Sequence, residues 1–251
     1  MVANCGHDEN NQYHGGKAGD QTGTEWQIRS WYNGKWDVVL RYPDKKVADK
    51  IAELAELAAK NDMIGYDQWQ RQTYWKALVA AGYNPRAIKT PCEADCSSGV
   101  CANVKATGEL LNIAKLKELN ENLRTATMLA AFKAAGFMAL TDTKYLTSDK
   151  YLKRGDILLR IGHHTTTNIT DGKLANENEA PKAKESYGMK TIKKGSKGKA
   201  VEIWQVICGA KIDGDFGSET EKKTKEFQKA HGLEIDGIVG KYTWGEGFAS
   251  V

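Results

Sequence analysis

The sequence contains no run of about 18 apolar residues, so no segment reads as a membrane span. Its start, MVANCGHDENNQYHGG, has neither a basic opening nor an apolar stretch, which excludes a Sec-type secretory signal. Strong charge of one sign is also missing: 36 basic against 32 acidic residues leave a net +4. There is no Arg-rich block and no aromatic-basic motif. A polyanionic partner is tolerated, but nucleic acid is not indicated. Cysteine is sparse and odd in number, five in 251 residues, which excludes a disulfide-dense scaffold and leaves at least one thiol free. What is present is a globular composition, 41% hydrophobic, sufficient for one large domain or two unequal ones.

Residues 1–23 are Gly- and Asn-rich and read as irregular. TEWQIRSWYNGKWDVVLRY (24–42) reads as two strands joined at Asn33-Gly34, a strong hairpin signal. Trp26, Trp31 and Trp36 flank that turn and read as packing residues. Val47, Ile51, Leu54 and Ala58 recur at helical spacing after Pro43-Asp44. Further helices are expected from about Asp67 to Gly82, over 108–119 and over 124–135, the last stopped by Gly136. RGDILLRIGHHTTTNITDGKLANENEA (154–180) is β-rich, with Asp171-Gly172 as its turn. A Lys-, Ser- and Gly-rich stretch follows and reads as a linker.

The last sixty residues carry a repeat. IDGDFGSET (212–220) and IDGIVGKYT (235–243) share the form I-D-G-x-x-G-x-x-T, 23 residues apart. Each Asp-Gly reads as a tight turn and each Thr as a cap for a following helix. Asp213, Gly214, Phe216 and Asp236 are either structural loop residues or neighbours of a binding groove.

Three cysteines, Cys92, Cys96 and Cys101, fall within EADCSSGVCANV and its flank. Three readings are open. The spacing C-x3-C-x4-C lacks the second pair of a zinc site, though His163 and His164 would complete one. Cys92 and Cys101 would form a disulfide only in an oxidising compartment. Otherwise all three are small buried hydrophobes. Cys96 has a further property. Asp95-Cys96-Ser97-Ser98 opens a helical pattern, and a cysteine there feels the positive end of the helix dipole, which favours thiolate and makes a nucleophile. GHHTTTNI supplies a base on a strand. Asn176 lies twelve residues after His164. With a three-residue loop at Asp171-Gly172, Thr166 pairs with Asn176, one diagonal step from His164. A two-residue loop turns Asn176 to the other face.

DCSS followed by GDILL and GHHTTTNITDGKLAN resembles the NlpC-type papain-fold peptidases of bacterial walls and the related cysteine- and histidine-dependent amidohydrolase/peptidases. The resemblance implies Cys96 as nucleophile, His164 as base and Asn176 as the residue orienting it, with Asp95 and Ser97 shaping the substrate site. His163 competes with His164, and the twelve-residue spacing favours His164. Ser98 departs from the glycine usual after Cys-Ser. The longer N-terminal region is similar to that of phage lysins of the amidohydrolase type. Residues 190–247 resemble the three-helix peptidoglycan-binding domain of wall hydrolases.

The expected fold is therefore α+β: a papain-like cysteine peptidase domain over 1–182, with helices packed on an antiparallel sheet, a linker over 183–189, and a small three-helix bundle over 190–251. The resemblance implies an endolysin that cuts the peptidoglycan stem. A D-glutamyl–diamino acid endopeptidase is the leading expectation; an N-acetylmuramoyl-L-alanine amidase or an inactive wall-binding protein are the alternatives. It implies no cofactor and no metal, peptidoglycan as partner, and release from a host cytoplasm through a holin. Nucleic acid and membrane insertion are not expected, and oligomeric state is left open.

Overall fold

The computed structural model describes residues 1–175, 189–231 and 233–249. The chain divides into two compact units, Met1–Asn176 and Glu177–Val251. Most of the expected linker at 183–189 lies outside the described residues.

The first unit runs β1 (Val2–Cys5), β2 (Trp26–Arg29), β3 (Val38–Arg41), α1 (Lys45–Ala58), β4 (Ile64–Tyr66), α2 (Thr73–Ala80), β5 (Cys92–Ala94) and α3 (Cys96–Leu111). It continues with α4 (Ala114–Lys117), α5 (Thr125–Ala134), β6 (Met138–Leu140), α6 (Thr143–Leu146), β7 (Ile157–Arg160) and β8 (His164–Asn168). Six strands form one antiparallel sheet in the order β2-β1-β8-β7-β3-β6, and β4 pairs with β5 in a separate parallel ladder. The unit is α+β, as expected.

Alternation along the strands explains why the sheet is covered on both sides. Val38 and Leu40 of β3 pair with Leu159 and Ile157 of β7 and join the core beneath α1, α3 and α5. Val39 and Leu158 turn the other way, against Trp36, Tyr145 and Leu152. Successive residues of a strand point to opposite faces, so a strand buried on both sides reads as a continuous apolar run. Asp44 caps α1 by accepting from the Lys46 and Val47 N–H groups, and Val47, Ile51, Leu54 and Ala58 form its buried stripe. Gly155 has φ +88° and its Cα lies against the Ala48 carbonyl of α1, where a Cβ would collide. Only glycine meets both conditions, and this contact seats α1 at the entrance to β7.

Three local expectations are overturned. Residues 1–23 are not irregular throughout: Val2–Cys5 forms an interior strand paired with both β2 and β8. The strands flanking Asn33-Gly34 do not pair with each other, because β1, β8 and β7 lie between β2 and β3. Asn33 does form a local turn, accepting the Lys35 N–H, but the buried Trp36 ring folds over Gly34 and redirects the chain. Asp171-Gly172 is not the β8 turn either. The hairpin partner of β8 is β7, joined through Ile161-Gly162-His163, its other neighbour is β1, and Gly172 donates to the Leu152 carbonyl.

The second unit contains α7 (Lys199–Cys208), α8 (Ser218–Ala230) and α9 (Lys241–Ala249). Its core is Ile192, Val201, Trp204, Phe216, Val239 and Trp244. The repeat is built around two buried glutamines. Gln205 Nε2 reaches Asp213 Oδ1, the Asp215 carbonyl and Thr220 Oγ, while its Oε1 accepts the Asp213 and Gly214 N–H groups. Gln228 reaches Asp236 Oδ1, the Ile238 carbonyl and Thr243 Oγ, and accepts the Gly237 N–H. The repeat therefore begins one helix earlier than the Asp-Gly turn. Gly214 and Gly237 take φ +71° and +74°, and Phe216 is fully buried. These residues build the loops.

Among the described residues no helix is long and apolar enough to cross a membrane.

Candidate active site

Cys96 is the first residue of α3. Asp95 caps the helix, accepting the Ser98 N–H at 2.7 Å, and Ser98 Oγ accepts the Asp95 N–H at 2.9 Å. This is a reciprocal capping box. It gives Ser98, which departs from the resembled pattern, a structural role: a glycine there would leave the Asp95 N–H without its acceptor.

Arg71 braces the same turn. Its Nη2 donates to Ser97 Oγ at 2.8 Å, to Asp95 Oδ1 at 3.1 Å and to the Leu123 carbonyl at 2.7 Å. Its Nε makes an ion-pair contact with Asp95 Oδ2 at 2.8 Å, without the direction of a hydrogen bond. Both partners are buried. Asp95 and Ser97 are thus engaged inside the protein, holding the start of α3.

The Cys96 sulfur lies where α3 packs against β8, near the backbone N–H groups of Ser97 and Thr165. They and the Arg71 charge favour thiolate. Burial and the Asp95 carboxylate oppose them and win, pushing the thiol up to about 12. The expectation of a lowered thiol is overturned for the free protein: Cys96 is 8% exposed, and desolvating an anion costs more than the helix start returns.

His164 opens β8, the residue before Thr165. Its Nε2 lies 2.9 Å from Asn4 Oδ1 and 3.0 Å from the Tyr32 hydroxyl, which itself donates to Asn4 Oδ1 at 2.6 Å. Because Asn4 Oδ1 only accepts, the network assigns the proton to Nε2 and leaves the lone pair on Nδ1. Trp36 stacks on the ring at 6.0 Å between centroids. Burial, with Arg29 adding to it, lowers His164 to about 4. The resting pair is therefore a thiol and a neutral imidazole. No direct hydrogen bond joins them; α3 packs against β8, and the Tyr32 hydroxyl beside the ring is raised to about 12, by burial first and by the Cys96 sulfur.

His163 sits exposed in the β7–β8 turn. Cys92 and Cys101 are free and lie in different cores, one with Ile64 and Tyr74, the other with Val104 and Phe132. The cysteine run thus disperses, and among the described residues no three His, Cys, Asp or Glu side chains gather as a metal-holding group. Asn176 lies outside the described residues. Among the described residues the amide side chain that reaches the His164 ring is that of Asn4.

Asn4, Tyr32 and Arg71 escaped sequence reasoning. Asn4 stands in a segment read as irregular, Tyr32 in a supposed hairpin, and Arg71 just before a helix. One signal was available for Asn4: VANC is short, apolar at its start, and β-compatible. Its pairing partner was 160 residues away.

Two family models match the chain. Residues 2–175 match the model described as an endolysin-like domain. Residues 206–246 match the model described as a putative peptidoglycan binding domain.

Proposed function

Because the chain belongs to the endolysin-like domain family, we propose that it is a cysteine-dependent peptidoglycan hydrolase of papain-like arrangement, with Cys96 as nucleophile and His164 as base. The two family matches support a cell-wall hydrolase role. The observation that carries the cysteine reading is the packing of α3 against β8. It brings the strand that starts with His164 against the helix that starts with Cys96.

The chemistry follows from the resting state. His164 Nδ1 takes the thiol proton as the sulfur attacks a carbonyl of the wall stem, so no free thiolate is required beforehand. The Cys96 N–H, at the first position of α3, stabilises the oxyanion. The imidazolium then protonates the departing amine, and water releases the acyl group from sulfur. Asn4 and Tyr32 hold the ring throughout. Asn4 here takes the place that the resemblance gave to Asn176. Asp95 and Ser97 contribute through Arg71, fixing the turn that presents the sulfur to the stem. The bond proposed is the D-glutamyl–diamino acid link.

Cys96→Ala is expected to abolish lysis of purified walls while wall binding persists; lysis by that variant would refute the assignment. Mass spectrometry of the released fragments identifies the bond, and a free lactyl group on muramic acid would mark an amidase instead.

A further inference from the structure

Trp69 is 74% exposed, the most exposed tryptophan of the described residues, yet it is firmly held. Its N–H and that of Gln70 bond Asp67 Oδ1. One face of its ring stacks on His14 at 3.8 Å between centroids and 8° between planes. The His14 loop is tied down in turn, by Gly15 N–H to Asp67 Oδ2 at 2.6 Å and by Gln68 N–H to the Tyr13 carbonyl at 2.9 Å. A rigid indole with one face backed and the other open to water is arranged for a ligand rather than for the core.

That indole borders a cleft of about 590 Å³ whose lining includes Arg71, Lys76, Asn122 and Arg124. Lys76 and Arg124 are exposed, and their side chains have no ion-pair partner among the described residues. Arg71 is buried and bonds the residues on both sides of Cys96. Arg71 thus links the cleft to the two residues that flank the proposed nucleophile.

We propose that this cleft is a substrate subsite for the sugar-linked, acidic part of the wall stem. The open face of Trp69 stacks on a sugar ring, whose C–H faces are apolar. Lys76 and Arg124 receive a stem carboxylate. The proposal rests on the hydrolase reading. It deepens that reading by making the enzyme specific for stems that keep both their glycan and a free carboxylate.

The test uses the full chain and three soluble substrates: a disaccharide-tetrapeptide, the same tetrapeptide without sugar, and a disaccharide-tetrapeptide with amidated carboxyls. Trp69→Ala is expected to raise KM for the first roughly tenfold with kcat unchanged, and to leave the sugar-free peptide unaffected. The pair Lys76→Glu and Arg124→Glu is expected to raise KM for the free-acid substrate and not for the amidated one. All three side chains are exposed, and an unchanged Tm establishes that folding is intact. Equal effects of Trp69→Ala with and without sugar overturn the subsite. If the wild-type chain cleaves none of the three, the hydrolase reading fails by itself. The subsite is then judged by calorimetric titration of the disaccharide-tetrapeptide into wild type and Trp69→Ala, where equal affinity overturns it.

Discussion

Asn4 Oδ1 lies 2.9 Å from His164 Nε2, although 160 residues separate the two in the chain. The contact exists because β1 pairs with β8 in the register Val2↔Asn168 and Ala3↔Thr167. Continuing that register sets Asn4 opposite Thr166, on the face that His164 shares. An amide oxygen that can only accept then fixes which ring nitrogen carries the proton.

Asn4→Ala removes that acceptor. The ring loses its orientation, and a misplacement near 1 Å in such a constellation lowers the rate about 100-fold. The expected outcome is a fall in kcat of that order with KM little changed. Asn176→Ala made in parallel separates the two orienting candidates: a large loss at 176 with none at 4 would return the role to Asn176.

The pH profile follows from His164. Its pKa is lowered to about 4, so the neutral base persists into acid. The value of kcat/KM should hold from pH 8 to pH 5 and fall as pH drops through about 4. An acid limb near the ordinary histidine range of about 6.5 would contradict the half-buried, neutral ring. Iodoacetamide should likewise react slowly with Cys96 at neutral pH and faster with rising pH up to about 12, since burial keeps the thiol protonated.

Arg71 and Asp95 form a buried ion pair with side chains 6% exposed. Removing one partner leaves the other charged and unpaired, a loss of about 3–5 kcal/mol. Arg71→Ala should lower stability by that amount in urea denaturation. Ser98→Gly breaks only the reciprocal arm of the capping box and should cost about 1 kcal/mol.

Glu93 is 2% exposed, and its Oε2 has no hydrogen-bond partner among the described residues. Burial, with Glu25 and Asp67 nearby, raises it from 4.5 to about 8. A raised carboxyl favours the protonated folded state. Its contribution is whole below pH 4.5 and disappears as pH climbs through about 8. Glu93→Gln keeps the acceptor for the Gly19 N–H and removes the charge. Its Tm should decline less than that of the wild type between pH 5 and pH 8; parallel curves would exclude Glu93 as the cause.

In the second unit, Gln228→Leu orphans the Gly237 N–H and the groups that Nε2 serves, with about 1–3 kcal/mol lost per buried group left unpaired. Thermal unfolding of this unit should move down, and wall binding should fall with it. Gln205→Leu should behave alike, because the two loops are built on one plan.

Much of this protein was legible because it is local. The α1 stripe, the cap at Asp44, the helix start at Cys96 and the two Asp-Gly turns each depend on residues within a few positions of one another. Even there, the repeat showed its turns and hid the glutamines that hold them, since Gln205 acts eight residues before Asp213. The strand VANC was missed because four residues carry too little periodicity to stand out among polar neighbours.

The sequence alone determined which residue types were available: a cysteine after a helix cap, a histidine on a strand, and a twice-used loop of I-D-G form. The tertiary structure alone decided their state. Pairing β1 between β2 and β8 supplied the Asn4 acceptor, packing α3 against β8 buried the sulfur, and desolvation then outweighed the helix dipole. Such outcomes depend on strand register across the whole chain and on how much water remains around a charge, neither of which is written in local spacing.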